Sequence, residues 1–136
     1  MDSDANSEFQ NSEGAEHIVD LVREDIARVK LRKFSNAIDL IRRVVGKEAT
    51  VQLLASFLYI ADNDGCYMQD LEESLGTTGA SNSRNTDWLA AGRRGTSYNG
   101  LNFITKEMSY DDRRRMILKL TKKGKDFFRQ LEETLD

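Results

Sequence analysis

Hydrophobic positions along this chain follow a helical period for most of its length and then switch to strict alternation, and the switch marks out the elements. From Ala15 to Val45 apolar residues recur at helical spacing, first Ile18, Val22, Ile26 and Val29, then Leu31, Phe34, Ile38, Ile41 and Val45. The register slips near Lys30. That slip predicts either one long helix whose apolar stripe winds around it or two helices broken between Val29 and Ser35. After Gly46, Thr50 is placed to cap a second amphipathic helix reaching about Asp62, with Val51, Leu54, Phe57, Leu58 and Ala61 inward. Asn63-Asp64-Gly65 ends it. Met68 to Leu75 reads as a short helix with Met68, Leu71 and Leu75 on one face and Gly76 as its stop. A polar helix is then predicted near 79–91, after the turn Thr77-Thr78; it carries Ser81, Asn82, Ser83, Arg84 and Asn85 before Trp88 and Leu89.

Beyond the Gly-rich linker 91–100 the period becomes two. Leu101, Phe103, Ile104 and Thr105 favour one strand, and Met116, Leu118 and Leu120 alternate with Ile117 and Lys119 in another. Between them lies Ser109-Tyr110-Asp111-Asp112-Arg113-Arg114-Arg115. The two Asp side chains can bond their own backbone and tighten a turn, and the three Arg residues project from a hairpin tip with little apolar surface to bury them. Thr121 then caps a last helix, to about Thr134, whose Phe127, Phe128, Leu131 and Leu135 suit packing on a neighbouring helix.

The run from Asp111 to Arg115, followed by Leu118-Lys119-Leu120-Thr121-Lys122-Lys123-Gly124, resembles the wing of MarR-type winged helix-turn-helix regulators, with a D-x-R-R-R-like tip before an L-T-x-K-G helix start. The resemblance covers roughly residues 50 to 131. It implies a mostly α fold with a small β-hairpin wing, a DNA-binding unit over 50–120 within one winged helix domain spanning 15–136, and pairing of two copies through terminal helices at 15–45 and 121–135. The sequence departs from the family at Asn82 and Thr86, where the recognition helix usually carries apolar residues that seat it on the core. That shifts the expected register by one or two positions and makes Trp88 and Leu89 the expected anchors. Seven consecutive polar residues from Ser81 to Asp87 also predict a weak helix.

Charge changes the picture because it is unevenly distributed. The whole chain is formally −3, yet residues 1–27 carry eight acids against Arg23, and residues 84–129 carry twelve bases against five acids. Local field, not total charge, therefore decides the partner, and the basic half is the half with the wing. Residues 1–14, polar and acidic with Phe9 as their one aromatic, are predicted to be a disordered acidic arm. The single cysteine, Cys66, excludes an internal disulfide and a multi-cysteine metal site and suits a reducing, cytoplasmic home. No run of about 18 apolar residues is present to span a membrane.

Catalytic chemistry has little support: His17 is alone at the edge of the acidic arm, Cys66 has no basic neighbour, and Asp111-Asp112 lie beside Arg residues that repel a cation. No catalytic residue, metal or cofactor is expected. The expected partner is double-stranded DNA, bound by a homodimer acting as a transcriptional regulator. Ser81, Asn82, Ser83, Arg84 and Asn85 would offer hydrogen bonds to base edges in the major groove. Arg113, Arg114 and Arg115 would contact phosphate or the minor groove from the wing at 101–120. Alternation lets one or two of the three face DNA, Arg114 before Arg113, while Arg115 pairs with Asp111 or Asp112 as a brace. Arg93 and Arg94 in the linker are further phosphate candidates. A protein-interaction adaptor that keeps the fold but binds a polymerase or replication factor is the rival reading, favoured by the acidic total. A small-molecule effector has no sequence signal of its own, because a pocket lining looks like core.

Overall fold

The computed structural model describes the backbone of residues 2–92 and 99–136, with side chains from Glu13 onward; Arg93 and Arg94 lie outside the described residues. Its elements are α1 (Asp2–Val44), α2 (Val51–Asp62), β1 (Cys66–Tyr67), α3 (Met68–Leu75), α4 (Gly79–Leu89), β2 (Ile104–Met108), β3 (Met116–Leu120) and α5 (Lys122–Leu135). The slip near Lys30 does not break α1, which is one helix of 43 residues. Ala15, Ile18, Val22, Ile26, Val29, Lys33, Ala37, Leu40 and Val44 follow 3-4-4 spacing, an 11-residue period of about 3.67 residues per turn, close enough to the helical 3.6 to hold one slowly winding stripe along an unbroken helix. The helix also continues back to Asp2, where composition predicts disorder.

The caps form as the sequence predicts. Thr50 Oγ1 accepts from the Leu53 amide at 3.0 Å, and Thr121 Oγ1 accepts from the Gly124 amide at 3.0 Å. The inward face of α2 is a correction. Leu53, Ser56, Phe57 and Ile60 are buried, while Val51 and Leu58 are exposed. This helix is apolar nearly all round, so its own pattern cannot choose a face. Packing chooses it: Phe57, Phe103 and Phe127 form an aromatic cluster with ring centroids 4.8 to 5.5 Å apart. Around that cluster lie Leu71 of α3, Leu89 of α4, Leu118 of β3, Leu131 of α5, and Ala37 and Ile41 of α1.

The sheet has three antiparallel strands in the order β1-β3-β2. The hairpin pairs Ile104 with Leu120 and Met108 with Met116. Strand β2 starts at Ile104 and not at Leu101, because Asn102 takes a left-handed conformation (φ 58°) and the residues before Ile104 bond instead to the end of α4. The Leu101 and Phe103 amides donate to the carbonyls of Trp88 and Leu89, each at 2.8 Å. The same corner anchors α5: the Thr121 amide donates to the Phe103 carbonyl at 2.9 Å, and Thr121 Oγ1 donates to the Asn102 carbonyl at 2.6 Å. A Cβ on Gly124 would stand 2.1 Å from the Phe103 carbonyl oxygen, so only glycine lets α5 cross there.

Candidate nucleic-acid interface

Helices α3 and α4 are joined by Gly76, Thr77 and Thr78. Gly76 takes the left-handed conformation (φ 63°), and its amide bonds the Glu72 carbonyl, closing α3. Asp70 fixes the other end of α3 by accepting from the Tyr67 amide at 3.0 Å. Thr78 caps α4, its Oγ1 accepting from the Ser81 amide at 3.2 Å. A tight left-handed turn between two capped helices is the geometry a helix-turn-helix needs.

The register of α4 is settled by burial. Asn82, Thr86 and Leu89, spaced i, i+4, i+7, are its buried face. Asn82 is therefore a correction: it is fully buried and cannot reach a base edge. The two polar residues are tolerated inside because they bond locally. Thr86 Oγ1 donates to the Asn82 carbonyl at 2.7 Å, and Thr77 Oγ1 donates to Asn82 Oδ1 at 2.5 Å. Asn82 Nδ2 is left without a hydrogen-bond partner among the described residues. Ser83 and Arg84 lie on the opposite, exposed face, and Ser81 and Asn85 are half-buried at its edges. Of the five polar candidates on this helix, Ser83 and Arg84 have the freest approach to a groove.

Strand β2 lies against the same helix. Lys106 Nζ meets Asp87 Oδ1 at 2.6 Å, with the two side chains 19% and 23% exposed, and reaches the Ser83 carbonyl at 3.5 Å. This pair ties wing to helix one turn from Arg84. Neither residue stands out in sequence, since 19 positions separate them and nothing periodic links them.

At the wing tip, Asp112 organises the turn: its Oδ1 accepts from the Arg114 amide at 3.0 Å, and its carbonyl accepts from the Arg115 amide at 2.9 Å. The assignment of the three arginines changes. Arg114, the first candidate for DNA, also leans its Nε toward Asp112 Oδ1 at 3.4 Å, although its side chain is otherwise in solvent. Arg115 pairs with neither Asp111 nor Asp112; its guanidinium carbon sits 4.4 Å from the Tyr67 ring centroid, so it braces the wing against the start of α3 by a cation–π contact. Arg113 and Arg84 are exposed guanidiniums with no ion pair among the described residues.

Cys66 lies in β1, half-buried, and burial pushes its thiol up from the ordinary value, with the Asp70 carboxylate adding to the effect. It stays protonated at neutral pH. Among the described residues no three His, Cys, Asp or Glu side chains cluster to hold a metal ion, and no helix is long and apolar enough to cross a membrane.

A capped helix pair with a left-handed turn, followed by a two-stranded wing latched to the second helix and a third strand contributed from before the first, matches one group of solved structures. The fold is that of the MarR-type winged helix regulators. MarR itself superposes with a TM-score of 0.56 at 21% identity, over 82% of this chain and 73% of that one. The transcriptional repressor CouR, solved on a 23-mer DNA duplex, gives 0.56 at 22% identity over 82% and 70%. RV1404 from Mycobacterium tuberculosis gives 0.62 at 20% identity over 86% and 73%. No family model matches the chain, and no curated protein is similar in sequence. The MarR-type likeness is thus carried by shape: the helix order, the sheet order and the wing.

Proposed function

We propose that this protein is a sequence-specific double-stranded DNA-binding transcriptional regulator, non-enzymatic, cytoplasmic and active as a homodimer. The observation that carries the reading is the face made by α4 and the wing. Ser83 and Arg84 stand outward on a helix seated by Asn82, Thr86 and Leu89, and Lys106 latches the wing beside them. Arg84 is suited to bidentate contact with a guanine edge, Ser83, Ser81 and Asn85 to supporting base or phosphate contacts, and Arg113 with Arg114 to phosphate or a narrow minor groove. Asn82 supports the helix from inside, and Arg115 supports the wing through Tyr67. Two copies related by a two-fold axis would present two such faces to an inverted repeat, with centres about one helical turn, roughly 34 Å, apart.

The test is selection of bound duplexes from a random pool, followed by gel-shift titration of the selected site. Wild type should enrich a two-fold related sequence. Arg84→Ala should lose about 1 to 3 kcal/mol on the selected site and far less on random duplex. Arg113→Ala should weaken both and lower the salt slope by about one. No shift of any duplex at micromolar protein and low salt would refute the reading and leave the adaptor in its place.

A further inference from the structure

Strand β2 turns one of its faces toward α4, because Lys106 reaches Asp87 and the Ser83 carbonyl from it. Met108 lies two residues further along that face, paired with Met116 across the hairpin, and is 67% exposed. The Ser109 amide donates to the Arg115 carbonyl at 2.8 Å, which carries the ladder one residue beyond the strand and sets Tyr110 as the next position on the same face. Tyr110 is 100% exposed. A lone exposed apolar side chain is ordinary, but a methionine and a tyrosine in succession on one face of a hairpin tip make a ridge. The tip beneath them is held: Asp112 Oδ1 accepts from the Arg114 amide, and the Asp112 carbonyl accepts from the Arg115 amide. Charge does not account for what this tip grips, since residues 108–114 are formally neutral, Asp111 and Asp112 offsetting Arg113 and Arg114.

We propose that Tyr110, backed by Met108, is an apolar wedge that enters the minor groove next to the major groove occupied by α4 and opens a base step there. This rests on the DNA reading of the preceding section and adds how a second position of the site is read. Four residues of strand put Tyr110 about 13 Å beyond the Lys106 latch. Adjacent major and minor grooves lie about 17 Å apart, half of one helical turn, and the length of the tyrosine side chain covers the difference. Arg113, exposed on the same tip, supplies the attraction to the flanking phosphates. The ring then packs on the apolar deoxyribose walls of the groove and pushes between two base pairs, a use of exposed apolar surface that a neutral tip permits. Such a wedge needs a step that unstacks cheaply. It therefore favours TA or CA/TG over stiff steps, about five base pairs from the guanine beneath Arg84, at a position to which no side chain need hydrogen-bond.

The test uses the full chain on the selected duplex, with 2-aminopurine replacing the adenine of the step about five base pairs from the Arg84 contact. Stacking quenches this base, so wild type should brighten it severalfold on binding. Tyr110→Ala should abolish the brightening, weaken binding to the selected site about tenfold with an unchanged salt slope, and tolerate a stiff step in place of the flexible one. Random-duplex binding, carried by charge, should not change. Tyr110→Phe should behave as wild type throughout, and because the residue is fully exposed, both variants should keep the wild-type urea midpoint. A Tyr110→Ala protein with wild-type affinity, or a 2-aminopurine that stays dark with wild type bound, overturns the wedge while leaving DNA binding. A solution mass that falls on Tyr110→Ala overturns it too, since the ridge would then cover a second copy. No shift of any duplex by wild type overturns the DNA reading itself.

Discussion

The latch between Lys106 and Asp87 makes a prediction whose sign separates two explanations. Both side chains are about one-fifth exposed and the contact is 2.6 Å, so the pair lies between a surface ion pair, worth at most about 1 kcal/mol, and a buried one, whose breakage costs about 3 to 5 kcal/mol. An intermediate cost of about 2 kcal/mol to folding is expected for Asp87→Asn, measured by urea denaturation. The effect on DNA is more telling. Asp87 is an acid one helical turn from Arg84 on the face assigned to DNA, so removing its charge should tighten binding if only the field matters. If the latch sets the angle between wing and α4, the same substitution leaves Lys106 only its 3.5 Å contact with the Ser83 carbonyl to hold β2 to the helix, and affinity for the selected site should instead fall about tenfold, or 1.4 kcal/mol. Random-duplex binding, which depends on charge alone, should rise slightly. An Asp87→Asn protein that binds the selected site as tightly as wild type, or more tightly, would refute the positioning role.

Three further outcomes follow from the same geometry. Gly124→Ala drives a Cβ to 2.1 Å from the Phe103 carbonyl and should cost at least about 3 kcal/mol of stability by forcing α5 off the hydrogen bond between Thr121 and Phe103, read as a lower urea midpoint with an unchanged slope. Asn82→Ala should leave the selected DNA sequence unchanged while lowering stability by about 1 kcal/mol, since the lost bond to Thr77 is partly offset by removing the unpartnered Nδ2; a change in base preference at any position would restore Asn82 as a reader. Cys66, its thiol held above the ordinary value by burial, should react with a disulfide reagent at pH 8 far more slowly folded than in urea, because the folded chain holds less thiolate at that pH; equal rates would contradict the burial.

The sequence made some of this legible and hid the rest for identifiable reasons. Helices with polar and apolar faces announced themselves, and Thr50, Gly76 and Thr121 marked boundaries because each satisfies or ends a backbone pattern locally. Strand β1 did not, since two residues are too short for a period and it forms only because β3 offers an edge. The face of α2 was ambiguous for the opposite reason, too many apolar residues. Asn82 looked like a reader, and Thr86 like a poor seat for the helix, because polarity is a proxy for exposure, and the proxy fails where a side chain bonds its own helix or the preceding turn. Their i, i+4, i+7 spacing with Leu89 was the signal that could have corrected it. Partners distant in sequence, Lys106 with Asp87 and Arg115 with Tyr67, become visible only once the wing is folded.

Net charge is the measure most at odds with the proposed partner, and the fold explains why it misleads. Eight acids against Arg23 in residues 1–25 leave nineteen bases against fifteen acids in residues 26–136, so the body is cationic and the anionic total belongs to one end of α1. That end is far away. Residues 13–25 precede the anchor at Ala37 by 12 to 24 positions, or about 18 to 36 Å along the helix. At physiological salt the Debye length is about 8 Å, so the acids are screened by two lengths or more at the point where α1 joins the body, before α4 and the wing are reached. A duplex at Arg84 and Arg113 therefore meets the local cations, and the acidic segment is free to serve a different contact. The prediction that distinguishes this from mutual cancellation is that a chain beginning at residue 26 should gain less than about threefold in random-duplex affinity per strand contact at 150 mM salt, measured at protein concentrations where its mass is matched to wild type; a gain of a hundredfold would mean that the acids reach the DNA face after all.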